Sequence, residues 1–229
     1  STQRLSTVYE TVERVRGELS PDKALIGVCG SPWTVALYAI EGRGGTEKTL
    51  AKGWAYTKPD DLDALLDRLV EASAHYLKAQ VSAGADAVML FESWAEGLPS
   101  DDLERVVTRP NKKLVHRLRE LGVTVPIIGF PRGAGTLLPG FVSETGVTAV
   151  GLDTAISPDF VNAALPTDLP VQGHLDPLLL IAGGKALDQR VDDLIEAYAG
   201  RPHIFNLGHG VRPETPIAHV EQVVARIRG

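Results

Sequence analysis

The chain has 229 residues, 44% hydrophobic and 23% charged, a balance that allows a sizeable buried core and excludes global disorder. A net charge of -6, without a cluster of Lys and Arg, lacks the footprint of a protein that tracks a phosphate backbone, so no nucleic-acid partner is expected. Cys29 is the only cysteine, which rules out an internal disulfide or a site needing two thiolates and fits a reducing cytoplasm. Neither a run of about 18 apolar residues nor a secretory leader is found, so neither membrane insertion nor export is expected.

In chain order, residues 24–29 form a first short apolar run with the near-continuous hydrophobicity of a strand covered on both faces. Leu62, Leu65, Leu66, Leu69 and Val70, continued by Tyr76, Leu77 and Val81, share one helical face. Asp60 is placed to cap that helix, and Gly84 suits the left-handed residue that follows it. A second strand is expected over 87–91. A helical region over 101–121 contains Pro110, which lacks an amide hydrogen and should split or kink it before Gly122 ends it. Further strands are expected over 125–130, 148–152, 169–171 and 203–207. Between the last two, Leu187, Val191, Leu194 and Ile195 form an apolar stripe that stops at Gly200, and Thr215-Pro216 reads as a cap with a first-turn proline opening the last helix.

Six strand-helix units with no linker, no low-complexity segment and no hairpin signal predict one α/β domain over residues 1–229, either a parallel barrel or a doubly wound sheet. A closed barrel needs eight strands, so six would leave unpaired edges. In parallel α/β folds reactive groups gather at the carboxyl ends of strands. Those ends carry Gly30-Ser31-Pro32-Trp33, Glu92-Ser93-Trp94, Pro131-Arg132-Gly133, Asp153-Thr154, Gly173-His174-Leu175-Asp176 and Gly208-His209-Gly210. His209, flanked by glycines that allow close ligand approach, reads either as a site histidine or as a turn residue. His174 reads as a site group or as half of a hydrogen-bonded turn with Asp176, and Asp153 as a structural acid or a group satisfying backbone amides. His75, His116 and His219 read as surface residues of helices.

Asn206-Leu207-Gly208-His209-Gly210, followed by Pro213, Thr215 and Pro216, resembles the C-terminal signature of the uroporphyrinogen decarboxylase family. Gly30-Ser31-Pro32-Trp33-Thr34 with Tyr38 and Glu41-Gly42, then Phe91-Glu92-Ser93, Gly151-Leu152-Asp153 and Gln172-Gly173 with Leu175-Asp176-Pro177 match in family order. The resemblance implies a (β/α)8 TIM-type barrel, of which about six βα units are present, and cofactor-free decarboxylation of the acetate side chains of uroporphyrinogen to coproporphyrinogen. It also implies a homodimer. Carried over, it makes Tyr38, Ser93 and His209 the groups around the substrate carboxylates, with Arg132, Asp153, His174 and Arg212 as pocket lining and no catalytic residue or metal ligand assigned. His174 stands where the family more commonly has asparagine. The family's N-terminal Met-Arg-Gln-Ala-Gly-Arg motif, and the aspartate that contacts the pyrrole nitrogens, have no match here, so a chain truncated at Ser1 is expected to be slow or inactive alone. An inactive porphyrinogen-binding fragment is the alternative, and a zinc methyltransferase of the same superfamily is disfavoured by the single thiol.

Overall fold

The computed structural model describes residues 5–42 and 48–229, so Ser1, where truncation is expected, lies outside the described residues. The chain divides into two compact units, Ser1–Thr148 and Ala149–Gly229. Both are α/β, with parallel strands alternating with helices.

The first unit runs α1 (Ser6–Glu18), β1 (Ile26–Gly30), α2 (Pro32–Glu41), α3 (Thr49–Thr57), α4 (Pro59–Ser82), β2 (Ala87–Glu92), α5 (Ser100–Leu103), a π-helical turn at Glu104–Thr108, α6 (Arg109–Glu120), β3 (Ile127–Pro131), a 3-10 turn and α7 (Leu138–Thr145). Strand β2 lies between its neighbours, pairing Ile26 with Ala87 on one side and Val88 with Ile127 on the other. This register puts Gly30, Phe91 and Phe130 side by side and aligns Glu92 with Pro131. Leu62, Leu66, Val70 and Leu77 of α4 are buried, whereas Leu65, Leu69, Tyr76 and Val81 at the margins of the expected stripe are half-buried. Each fully buried side chain of this kind stabilises by about 1.5 to 3 kcal/mol relative to exposure.

Two local expectations shift for identifiable reasons. Asp60 is not the cap of α4, because Pro59, whose ring presets a helical φ, takes the first helical position. Asp60 instead sits in the first turn, where a carboxylate complements the helix dipole. Pro110 does interrupt 101–121, and the chain absorbs its missing amide by widening into the π-helical turn just before α6. Gly84, as expected, is left-handed at φ 109°, and a Cβ there would lie 2.6 Å from Arg16 Cγ.

The second unit runs β4 (Ala149–Gly151), α8 (Pro158–Ala164), β5 (Val171–Leu175), α9 (Pro177–Ala182), α10 (Gly184–Ala197), β6 (His203–Leu207) and α11 (Ile217–Arg228). Strand β5 is central, pairing Val150 with Val171 and Val171 with His203. It starts at the end of the expected run and extends through Gln172 and His174, both buried polar residues. Leu187, Val191 and Leu194 are buried on α10, but Ile195 at the edge of that stripe is 39% exposed. Helix α11 opens one residue later than expected: Pro216 is the flanking residue and Thr215 makes no side-chain cap.

Candidate functional site at the strand carboxyl ends

In the first unit the site is built from the ends of β1, β2 and β3. Pro32 starts α2 immediately after β1, and the helix carries Thr34 and Tyr38 one turn apart, on the same face. Thr34 is 5% exposed and points inward, while Tyr38 is 46% exposed. Both reach the segment after β2. The Ser93 amide donates to Thr34 Oγ1 at 2.9 Å, and the Thr34 hydroxyl donates to Glu92 Oε1. Next in sequence, the Trp94 indole donates to Tyr38 Oη at 3.4 Å, with the two rings edge to face at 6.5 Å. Trp33 holds the other side of this segment, its indole donating to the Trp94 carbonyl at 3.2 Å. The Lys48 ammonium lies 3.8 Å from the centre of the Trp94 ring, a cation-π contact made by a side chain that is itself buried.

Arg132, from the end of β3, completes this half. Its guanidinium donates to the Ser93 carbonyl at 3.2 Å and lies 3.4 Å from the Glu96 carboxylate, while its amide donates to the Glu92 carbonyl at 2.9 Å. Gly133 follows at φ 82°, and a Cβ there would stand 2.5 Å from Glu96 Cβ, so only glycine lets the two loops approach this closely. The structure therefore brings Tyr38, Ser93 and Arg132 into one neighbourhood.

Glu92 stands in two of the sequence motifs but receives no role from them. Its side chain has no solvent exposure, and burial pushes its carboxyl up to about 8, partly offset by hydrogen bonding from Thr34 and Asn111. At neutral pH the acid is protonated. Asn111 sits in a second polar pair, accepting from the Ser31 hydroxyl at 3.0 Å and donating to the Val107 carbonyl at 2.9 Å. The sequence signal for Glu92 was present, a lone carboxylate ending the apolar run 87–91, but its partner Thr34 is 58 residues away.

In the second unit, Gly208 at the end of β6 packs against the turn after β4: a Cβ on it would lie 2.6 Å from the Thr154 amide and 3.0 Å from the Asp153 carbonyl carbon. His209 is thereby carried next to Asp153 and Thr154. The His209 ring is exposed, and its Nδ1 accepts the Gly210 amide at 2.6 Å. Asp153 Oδ1 accepts the Ala155 amide at 2.8 Å, which is the backbone-satisfying role left open by the sequence. Arg212 is exposed on the loop beyond, its carbonyl accepting from the Thr215 amide.

His174 does not pair with Asp176. It is 1% exposed, with Nε2 2.8 Å from Tyr198 Oη, while Asp176 caps α9 by accepting the Leu178 amide at 2.8 Å. Burial, reinforced by Arg190, pushes the His174 imidazole down to about 4, so the ring is neutral at physiological pH. His219 is also not a plain surface residue: its Nδ1 lies 2.9 Å from the Leu180 carbonyl, and its ring fills the space over Gly183 where a Cβ would stand. His75 and His116 are exposed as expected.

The family model described as uroporphyrinogen decarboxylase matches residues 1–229. A curated uroporphyrinogen decarboxylase of Hyphomonas neptunium is 65% identical over 100% of this chain and 66% of its own length, and one of Maricaulis maris is 52% identical over 98% and 65%. A third, of Caulobacter vibrioides, is 53% identical over 98% of this chain and 64% of its own length, so the chain spans roughly 65% of the relatives it matches. Among solved structures, a methyltransferase from Methanosarcina mazei superposes with a TM-score of 0.81 at 22% identity, covering 97% of this chain and 64% of that one, a likeness of fold alone. The six βα units have the α/β, TIM-type fold class expected from the sequence, and the chain belongs to the uroporphyrinogen decarboxylase family.

Proposed function

We propose that the protein carrying this chain decarboxylates uroporphyrinogen, removing the acetate carboxyls as carbon dioxide and leaving the methyl groups of coproporphyrinogen, without a cofactor. The observation that carries this reading is the Tyr38-Ser93-Arg132 neighbourhood, in which hydroxyl and guanidinium donors collect around one anchored strand end in a chain matched over its full length by the family. Such donors recognise carboxylates.

Decarboxylation needs an electron sink. Protonation of an electron-rich pyrrole carbon makes the ring cationic, the carbon-carbon bond electrons flow into it as carbon dioxide leaves, the side-chain carbon takes up a proton, and the ring carbon gives back the proton it first accepted, so that one proton replaces each carbon dioxide. The protein's part is placement and charge stabilisation. Tyr38 and Ser93 hold a propionate or acetate carboxylate through their hydroxyls, and His209 donates from Nε2 to another. Arg132 and Arg212 add positive charge, while Asp153 and His174 shape the lining through the turn after β4 and the buried contact with Tyr198. We further propose that residues 1–229 form one barrel domain of this family, that the protein is a homodimer and that it works in the cytoplasm; no described helix is long and apolar enough to cross a membrane. The test is anaerobic incubation with uroporphyrinogen in the presence of a chelator, scoring coproporphyrin after oxidation. Product formation at an unaltered rate supports the reading; no product, or loss of rate on chelation, overturns it.

A further inference from the structure

The pair Glu92 and Thr34 is costly where it stands. Both side chains are nearly or fully buried, and an apolar pair of the same shape would fill the space without desolvating a carboxyl. Thr34 and Asn111 hydrogen-bond the Glu92 carboxyl, but its Oε2 lacks a partner of good geometry among the described residues, so the acid is only partly satisfied. What the network does satisfy is Ser93. The Ser93 amide is fixed on Thr34, its carbonyl is fixed by Arg132, and Arg132 is in turn tied through its own amide to the Glu92 carbonyl. Ser93 thus has its backbone gripped on both sides, and its half-buried side chain stands at the open end of β2.

We propose that Thr34 and Glu92 are positioning residues for Ser93: Thr34 sets the Ser93 amide, Glu92 fixes the Thr34 hydroxyl from behind, and together they aim the Ser93 hydroxyl at a substrate carboxylate. This rests on the assignment of Ser93 as a carboxylate-binding group. The shared geometry supports it: the Thr34 hydroxyl oxygen bridges Glu92 Oε1 and the Ser93 amide, which it accepts at 2.9 Å. Glu92 in its neutral form sustains this without placing a buried negative charge beside an anionic substrate.

The experiment is a double-mutant cycle on kcat/KM for uroporphyrinogen in the full-length protein. Loss of one well-placed hydrogen bond is a fall of roughly tenfold. Thr34→Val should therefore lower kcat/KM about tenfold, mainly through KM, when Ser93 is present, and less than about twofold in the Ser93→Ala background. Thr34→Ser, which keeps the hydroxyl, and Glu92→Gln, which keeps an acceptor for it, should both stay within about twofold. If Thr34→Val does not fold, Thr34→Cys, of similar size but a weak acceptor, takes its place in the cycle with the same expectation. Equal falls with and without Ser93, or no fall at all in the Ser93-containing protein, overturn the positioning role. If Ser93→Ala alone leaves kcat/KM unchanged in an active enzyme, the Ser93 assignment fails first and the positioning role with it.

Discussion

Thr34 Oγ1 accepts the Ser93 amide hydrogen at 2.9 Å across 59 residues of sequence, joining the first turn of α2 to the end of β2. Tyr38 lies on the same helical face as Thr34, so this single bond also fixes the reach of the Tyr38 ring to Trp94.

The bond has a stability consequence apart from any activity. Thr34→Val leaves the Ser93 amide and Glu92 Oε1 without their shared partner in a buried setting, and an unsatisfied buried group costs about 1 to 3 kcal/mol. Urea denaturation should show that loss for Thr34→Val and a much smaller one for Thr34→Ser.

Glu92 makes stability depend on pH. Its folded-state carboxyl, pushed up to about 8 by burial, titrates far above an ordinary glutamate, and the side chains that hydrogen-bond it, Thr34 and Asn111, are uncharged. Between about pH 4.5 and about 8 the unfolded chain releases this proton while the folded chain keeps it, so its contribution is fully present below that window and is lost as pH rises through it. Glu92→Gln removes the ionisation. Comparing urea midpoints from pH 5 to pH 9, the variant should gain progressively on the parent; a constant difference would mean that Glu92 is ionised throughout.

His174 acts with the opposite sign. Its imidazole is held down to about 4 by burial, so from the ordinary histidine range down to about pH 4 the unfolded chain takes up a proton that the folded chain refuses. The stability it contributes is present above that window and is lost as pH falls through it. A histidine signal titrating near 4 in a proton NMR series, absent from His174→Asn, checks this.

Two glycines are placed by contact. A Cβ at Gly208 would meet the Thr154 backbone amide at 2.6 Å, and one at Gly133 would meet Glu96 Cβ at 2.5 Å in addition to requiring φ 82°. Overpacking of this kind costs about 1 to 3 kcal/mol, so Gly208→Ala and Gly133→Ala should each lower the melting midpoint measurably, unlike Gly17→Ala on α1, where the added carbon meets nothing within 4 Å.

Strands were legible where burial is apolar: β6 falls on residues 203–207 as the periodicity predicts, and β1 to β4 begin or end within two residues of their runs. Strand β5 was misplaced because Gln172 and His174 are polar residues buried on it, and hydropathy cannot show that His174 meets Tyr198 from beyond α10. Prolines were informative as breaks but not about what the chain does next, as the π-helical turn before Pro110 and the later start of α11 both demonstrate. The candidate site residues Tyr38, Ser93 and His209 came from motif resemblance, whereas Glu92 and Thr34 gain their meaning only from a contact the sequence does not encode locally. The helix α1 carries no fully buried residue, and its weak apolar stripe gave no reading at all.

The most direct test of the account is the steady-state decarboxylation of uroporphyrinogen by the full-length protein and its His209→Ala variant under anaerobic conditions. On the proposed assignment of His209 Nε2 to a substrate carboxylate, losing a hydrogen bond to a charged group, worth roughly 1.5 to 3 kcal/mol, predicts a fall in kcat/KM of about ten- to a hundred-fold without loss of folding. An unchanged kcat/KM would contradict the account and leave His209 as a turn residue bonded to the Gly210 amide.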